Sequence, residues 1–347
     1  MKEYRNILIR MPNWLGDMVM ATPIIADVRK KWPQATITVM SSTALAPLLF
    51  GNPHLNEIFS FSRINEFAKR AEKRDVVARL RQGQYDLGIL LTNSFSSAVL
   101  LWKGRINERV GFAKDFRSLF LTKSIPLPKM KGREHLVVTY KRLLEPLGIA
   151  ASDTAPELFV MEEEREAIGQ LLREYSIPRE NRLIGINPLA AFGEAKCWPA
   201  ERFRTLAIKL ASDKRTTVLF FGDNQGVARI KEICAGLPEN VVNFAGLTTL
   251  RELIALIEVC DLFVTNDSGP MHIAAALKTP LIAIFGSTNE IATGPYQHGR
   301  VIHKHASCSP CYLRKCPIDF RCMKRIDVEE VMKEVNAALL LQKGLRS

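Results

Sequence analysis

Short apolar runs alternate with amphipathic stretches along the whole chain, and this alternation constrains the fold more than any other feature. Runs of four to six β-branched and aliphatic residues, separated by helical patterns, are the mark of βα units feeding parallel sheets. In the first half the predicted strands are Asn6 to Arg10, Thr36 to Met40, Glu57 to Phe61, Asp86 to Leu91 and Arg109 to Phe112. Helices are predicted over Asp17 to Lys31, Ile64 to Gln82 and His135 to Leu147. A charged helix, Glu162 to Glu174, precedes SIPRENR, which reads as a linker, and the alternation restarts at Leu183 to Asn187.

The second half reads as strands Thr217 to Phe221, Val241 to Phe244, Leu262 to Thr265 and Leu281 to Phe285, with helices Gln225 to Ala235, Thr249 to Cys260 and Pro270 to Leu277. The expectation is an α/β chain of two Rossmann-like doubly wound domains: 1–175, 176–326, and a closing helix within 327–347, expected near the domain junction. At 347 residues, 47% hydrophobic and 24% charged, the chain is long and apolar enough for two such cores. No apolar run reaches the roughly eighteen residues of a membrane span, and no secretory signal is evident at the start, so a cytoplasmic location is expected.

The formal net charge is +12, and basic residues gather in the first half: Lys69, Arg70, Lys73, Arg74, Arg79, Arg81, then Lys103, Arg105, Arg109, Lys114, Arg117, then Lys129, Lys131, Arg133. Such an excess attracts polyanions: nucleic acid, an anionic membrane face or a phosphorylated substrate. Zinc-finger spacing, an RNP-like motif and a helix-turn-helix are all missing, so no nucleic-acid partner is expected. Solvated helix faces explain any single run equally well.

Four loops combine strand ends with polar chemistry. In VTNDSGPMHIAAAL, Val264 to Leu277, a strand turns into a helix through Asp267, Ser268, Gly269 and Pro270, with His272 one turn in. A helix N-terminus at the carboxyl end of a parallel strand suits an anion, although capping by Ser268 and Asp267 explains the same residues. In NPLAAFGEAKCWP, Asn187 to Pro199, Lys196 puts an ammonium at another strand end and pairs with the first loop as a diphosphate clamp. In RMPNWLGDMVMATP, Arg10 to Pro23, Asp17 opens a helix; it reads either as a cap or as a general base. FFGDNQG, Phe220 to Gly226, offers Asp223 or Gln225 to a ribose hydroxyl, although a capped turn explains both equally well. Neither G-x-G-x-x-G nor a Walker-type loop occurs.

Cys308, Cys311, Cys316 and Cys322 form a C-x2-C-x4-C-x5-C run. Four thiols in such a stretch are candidate ligands for zinc or an iron–sulfur cluster, but the spacing matches neither the usual zinc pairs nor ferredoxin runs. Read otherwise, they make a Cys-rich, redox-sensitive loop.

WLGDMVMATP, AFGEAKCWP and TNDSGPMHIAAAL, in this order, resemble three signatures of the ADP-heptose:lipopolysaccharide heptosyltransferases, glycosyltransferase family 9, most closely the heptosyltransferase II branch. The resemblance implies a GT-B fold, two Rossmann-like domains around a central cleft, with the acceptor on the first and the nucleotide sugar on the second. It implies inverting transfer of heptose from ADP-L-glycero-D-manno-heptose to the heptose/Kdo inner core of lipopolysaccharide, with Asp17 as general base. Donor binding would fall to Lys196, Asp267, Ser268, Gly269 and His272, flanked by Asp223 and Leu247, and acceptor binding to Asn13, Trp14, Gly16 and Asn93. It implies no required cofactor, since Lys196 and a helix terminus would neutralise the leaving ADP, and no metal at the site. A Kdo/heptose-bearing lipid A acceptor implies peripheral contact with the anionic inner face of the cytoplasmic membrane. Cys197, Leu189 and Ala190 depart from the family pattern. A heptosyltransferase I, another sugar-nucleotide enzyme of this architecture, and a noncatalytic polyanion- or lipid-binding protein are the competing readings.

Overall fold

The computed structural model describes residues 2–62, 70–128 and 132–346. The chain forms two compact units, Met1–Phe159 and Val160–Ser347. The expected helix segment 64–69, together with Lys69, Lys129 and Lys131, lies outside the described residues.

The first unit is a six-stranded parallel sheet: β1 (Asn6–Arg10), β2 (Thr36–Ser42), β3 (Glu57–Phe61), β4 (Leu87–Leu90), β5 (Glu108–Ala113) and β6 (Lys123–Pro126), in the order β3-β2-β1-β4-β5-β6. The second repeats this with β7 (Arg182–Asn187), β8 (Thr216–Phe220), β9 (Val241–Asn243), β10 (Leu262–Asn266), β11 (Leu281–Phe285) and β12 (Arg300–His303), in the order β12-β11-β10-β7-β8-β9. Each sheet thus has the doubly wound order 3-2-1-4-5-6, whose direction of winding reverses between its first and fourth strands. The central strands are covered on both faces, so they read as unbroken apolar runs rather than alternating ones: Ile7, Leu8 and Ile9 of β1 and Leu262, Phe263 and Val264 of β10 are fully buried.

Two expected helices break. The first, predicted as one element over Asp17 to Lys31, is divided into Leu15–Met20 and Pro23–Lys31. Pro23 has no N–H to continue the ladder, and the Thr22 hydroxyl donates instead to the Val19 carbonyl at 2.8 Å. The second, His135 to Leu147, is α-helical only over Leu136–Lys141 and tightens into a 3₁₀ segment, Arg142–Leu147, that holds Pro146.

The boundary also moves. The chain divides after Phe159 rather than after residue 175, so the helix Glu162–Glu174 belongs to the second unit. Charge pairing ties it there: Arg251 Nε donates to Glu164 Oε1 at 2.6 Å and Arg165 Nε to Glu258 Oε2 at 2.8 Å, both reaching the helix Leu250–Glu258. The closing helix, expected over Val328 to Leu341, runs over Val328–Arg346 and buries Val331, Val335 and Leu339 in the core of the second unit. Among the described residues no helix is long and apolar enough to cross a membrane.

Candidate functional site

In each sheet polar loops singled out above follow the two strands at the winding reversal, whereas FFGDNQG follows β8, one strand away. The loop with Asn13 to Asp17 follows β1 and Asn93 follows β4; the loop with Lys196 follows β7 and Asp267 to His272 follow β10. Carboxyl ends of such neighbouring strands are where doubly wound sheets bind ligands, because the connections leave in opposite directions and open a crevice.

In the second unit the two loops are joined by buried polar groups. Asn187, the last residue of β7, donates through Nδ2 to Leu189 O at 2.9 Å and to Ser268 Oγ at 3.1 Å. Asn266, the last residue of β10, accepts from the Trp198 amide at 2.9 Å and donates to Pro188 O at 2.7 Å. Trp198 is itself buried, its indole N–H on Ile326 O at 2.9 Å. A core strand that ends in fully buried Thr265 and Asn266 is using its end to hold loops, since unpaired amides there would cost several kcal/mol in order of magnitude.

Lys196 lies across this junction. Its Nζ is 2.5 Å from Asp267 Oδ2 and sits 5.0 Å from the centre of the Phe192 ring. Thr288, after β11, donates to the same carboxylate oxygen at 2.6 Å. Two expectations change. Ser268 occupies the N-cap of the helix Gly269–Ala276 but makes no side-chain cap; its hydroxyl is with Thr265 Oγ1 at 3.0 Å and with Asn187. Asp267 does not cap either, because its carboxylate is committed to Lys196 and Thr288. His272 is buried in the first turn of that helix.

Asp223 Oδ1 accepts from the Gly226 amide at 3.0 Å, closing the turn before the helix Val227–Cys234. Leu247 is exposed. Cys197, in place of the expected basic residue, is buried, and burial pushes its thiol up. The Cys-rich segment packs on the Lys196 loop: Ala195 N donates to Arg314 O at 3.0 Å, and the guanidinium of Arg314 lies over Phe192. Gly193, at φ +153°, permits this approach, because a Cβ there would stand 2.5 Å from Arg314 O. The four cysteines span exposed Cys308 to buried Cys322, whose thiol is pushed up by burial and by the neighbouring Cys308, Cys311 and Cys316; among the described residues, Glu290, His303 and His305 have one ligand atom each within 4.8 Å of the others.

In the first unit, Asn13 is held by Arg10, whose Nη2 donates to its Oδ1 at 2.8 Å. Arg10 is buried beneath the Phe61 ring, 4.7 Å from its centre, and burial brings its guanidinium down to about 10. Trp14 stands at the N-cap, exposed, and Gly16 and half-buried Asp17 fall in the first turn of the helix Leu15–Met20, so Asp17 is within the helix rather than its cap. Burial, reinforced by the Asp17 charge, holds the Tyr140 phenol well above its ordinary range. Asn93 accepts from Arg117 Nη1 at 3.3 Å, and the same nitrogen donates to Thr92 O at 2.6 Å.

Arg117 is fully buried, and burial draws it down to about 10, so it is a part of the fold rather than of a solvated basic face. Arg109 and Arg79 are likewise engaged, the first donating to Phe120 O at 2.6 Å and the second stacking at 3.9 Å over Phe59. Asn266 and Thr288 were not singled out from sequence, and Arg10 and Arg117 entered only as the start of a loop and as part of the basic excess. The signal available for Asn266 was a polar residue at the carboxyl end of a core strand; Thr288, three residues beyond β11, offered none.

Two doubly wound units, with polar loops at both winding reversals, give the paired Rossmann-like architecture that GT-B glycosyltransferases share. Residues 74–320 match glycosyltransferase family 9 (heptosyltransferase). The chain is 34% identical over 309 residues, 86% of its length and 87% of the relative's, to lipopolysaccharide heptosyltransferase 2 of Salmonella typhimurium. The structure of the E. coli ADP-heptose lipopolysaccharide heptosyltransferase II superposes with a TM-score of 0.83 at 30% identity, covering 97% of this chain and 99% of that one. A family 9 glycosyltransferase from Veillonella parvula superposes at 0.87 with 25% identity, covering 97% and 98%. The chain belongs to glycosyltransferase family 9, the heptosyltransferases.

Proposed function

We propose that the protein transfers heptose from ADP-L-glycero-D-manno-heptose to the heptose/Kdo inner core of lipopolysaccharide by a single inverting displacement. The observation that carries this reading is the joining of the Lys196 and Ser268 loops by Asn187 and Asn266, which makes one polar floor at the end of β7 and β10. Lys196 and the N-terminus of the helix Gly269–Ala276 supply positive potential there for a diphosphate. A helix terminus is worth about half a unit charge, comparable with a partly neutralised lysine. No cofactor is required in this scheme, the leaving ADP being held by protein groups. Asp267 acts by positioning Lys196 rather than by touching phosphate, since a second anion there would repel the donor.

Asp17 serves as general base. It lies in the first turn of a helix, where the N–H groups favour a carboxylate, and in the reaction it takes the proton of the acceptor hydroxyl as the oxygen attacks the anomeric carbon and ADP leaves. Asn13, Trp14, Gly16 and Asn93 line the acceptor side, with Asn13 and Asn93 oriented by the buried Arg10 and Arg117.

Peripheral contact with an anionic cytoplasmic membrane face fits an apolar projection on the first unit. Phe116 and Leu119 are 85% and 81% exposed, and exposed Phe95 and Trp102 pack edge-on against Phe120, with Lys103, Arg105 and Lys114 nearby in sequence. Aromatic residues among lysines and arginines are what an anionic bilayer surface retains.

The test is turnover by purified protein with ADP-heptose and two acceptors, Kdo₂-lipid A with and without the first heptose. Transfer only to the heptose-bearing acceptor supports the heptosyltransferase II assignment; transfer to the bare Kdo acceptor supports the sibling enzyme; consumption of another nucleotide sugar instead rejects both.

A further inference from the structure

We infer that Glu290, His303 and His305 form a binding site for a divalent transition-metal ion of the zinc class, outside the residues assigned above to donor and acceptor. His303 is the last residue of β12, and Glu290 begins the short helix Glu290–Thr293 that follows β11. One ligand atom from each of the three lies within 4.8 Å of the other two. His303 Nδ1 is 2.8 Å from Glu290 Oε2, His305 Nε2 is 3.6 Å from Glu290 Oε1, and the two imidazole centres are 4.2 Å apart.

The hydrogen-bond inventory favours a cation here. The Ser309 hydroxyl donates its one proton to Gly286 O, so toward His303 Nε2, 3.1 Å away, it acts as acceptor. This places the ring proton of His303 on Nε2 and turns the lone pair of Nδ1 toward a carboxylate that has only lone pairs to offer. A positive species is needed between them, either a second ring proton or a metal. A proton on Nδ1 serves the His303 contact and a neutral His305 can turn its own Nε2–H to Oε1, so protons and a metal compete for this site. A metal satisfies all three at once.

Ligands bound at about 2.0–2.1 Å to one ion lie about 3–3.5 Å apart, so an ion here would draw together ligand atoms that already lie within 4.8 Å of one another, the two imidazoles facing different oxygens of Glu290. The Ser309 contact then supplies the outer hydrogen bond that metal-binding imidazoles usually make, fixing the ring and its tautomer. Two imidazoles and one carboxylate select a first-row transition ion over Mg²⁺ or Ca²⁺, which prefer all-oxygen sets. With His303 buried and His305 exposed, the ion would enter from the His305 side and keep at least one position for water. It would fasten the end of β12 to the loop after β11, the loop whose Thr288 holds Asp267.

The test uses the full-length protein, stripped with chelator and titrated with Zn²⁺ by calorimetry and with Co²⁺ by visible absorption. One ion per chain is expected at this site, with affinity falling at least tenfold in Glu290→Gln and in His303→Ala. His305→Ala removes an exposed ring and is expected to weaken binding without disturbing the fold, which circular dichroism of each variant checks. Cys308→Ser/Cys311→Ser/Cys316→Ser should leave this affinity within twofold. Unchanged affinity in the Glu290 and His305 variants, loss of the ion only in the cysteine variant, or no saturable Zn²⁺ binding would each overturn the inference.

Discussion

Lys196 and Asp267, from loops that follow two neighbouring strands of one sheet, meet at 2.5 Å with side chains only 15% and 4% exposed. Breaking such a pair from one side strands a charge in a poorly solvated place. Asp267→Asn is expected to cost about 3 kcal/mol of stability, read as a lower urea midpoint. The double variant Lys196→Met/Asp267→Asn should lose less than the sum of the two single changes, because it leaves no unpaired charge. Equal and additive losses would show that the two side chains act independently.

Lys196→Ala should raise the KM for ADP-heptose and weaken ADP binding by roughly tenfold to a hundredfold, the range of one charge-assisted contact. Calorimetric titration with ADP measures this without the acceptor. Retained affinity would remove Lys196 from the donor site.

Phe116→Ser/Leu119→Ser tests the membrane-facing reading. Partition onto vesicles containing anionic phospholipid should fall severalfold, while turnover of a detergent-solubilised acceptor stays near the unchanged level. A loss of both in parallel would mean that the projection serves the fold.

Glu108 makes the first unit acid-sensitive. Burial alone would push its carboxyl up, but hydrogen bonds from Lys123, Lys2 and Tyr4 outweigh it and hold it at about 2. A carboxyl whose folded value is depressed stabilises the fold above its unfolded value, near 4.3, and that stability is lost as pH falls toward 2. Glu108→Gln should therefore lose about 1 kcal/mol at neutral pH, the two lysines being partly solvated, and should show a flatter stability profile between about pH 5 and 2. Denaturant midpoints across that range check it.

Much of the fold was legible because parallel strands buried on both faces must be continuous apolar runs. Asn6–Arg10, Glu57–Phe61 and Leu281–Phe285 were predicted at their observed bounds. The strands that escaped, Lys123–Pro126 and Arg300–His303, lie at sheet edges, where one side has no neighbour, so polar residues and even Pro126 are tolerated and the apolar signal fades. Glu162–Glu174 is legible as a helix, but its attachment is not, because that rests on Arg251, far along the chain. In the candidate site the strand-end loops could be read, because Gly, Pro and capping residues interrupt the apolar pattern there. What side chains do within the loops could not: the turning of Ser268 toward Asn187, and of Asp267 toward Lys196, depends on which strands become neighbours.

The most direct test is the turnover of Asp17→Asn with saturating ADP-heptose and heptose-bearing acceptor, alongside its affinity for ADP. Loss of a general base should lower kcat by about 10²–10⁴-fold while ADP binding stays within twofold. A kcat within tenfold of the unsubstituted enzyme would contradict the assignment of Asp17 as the base.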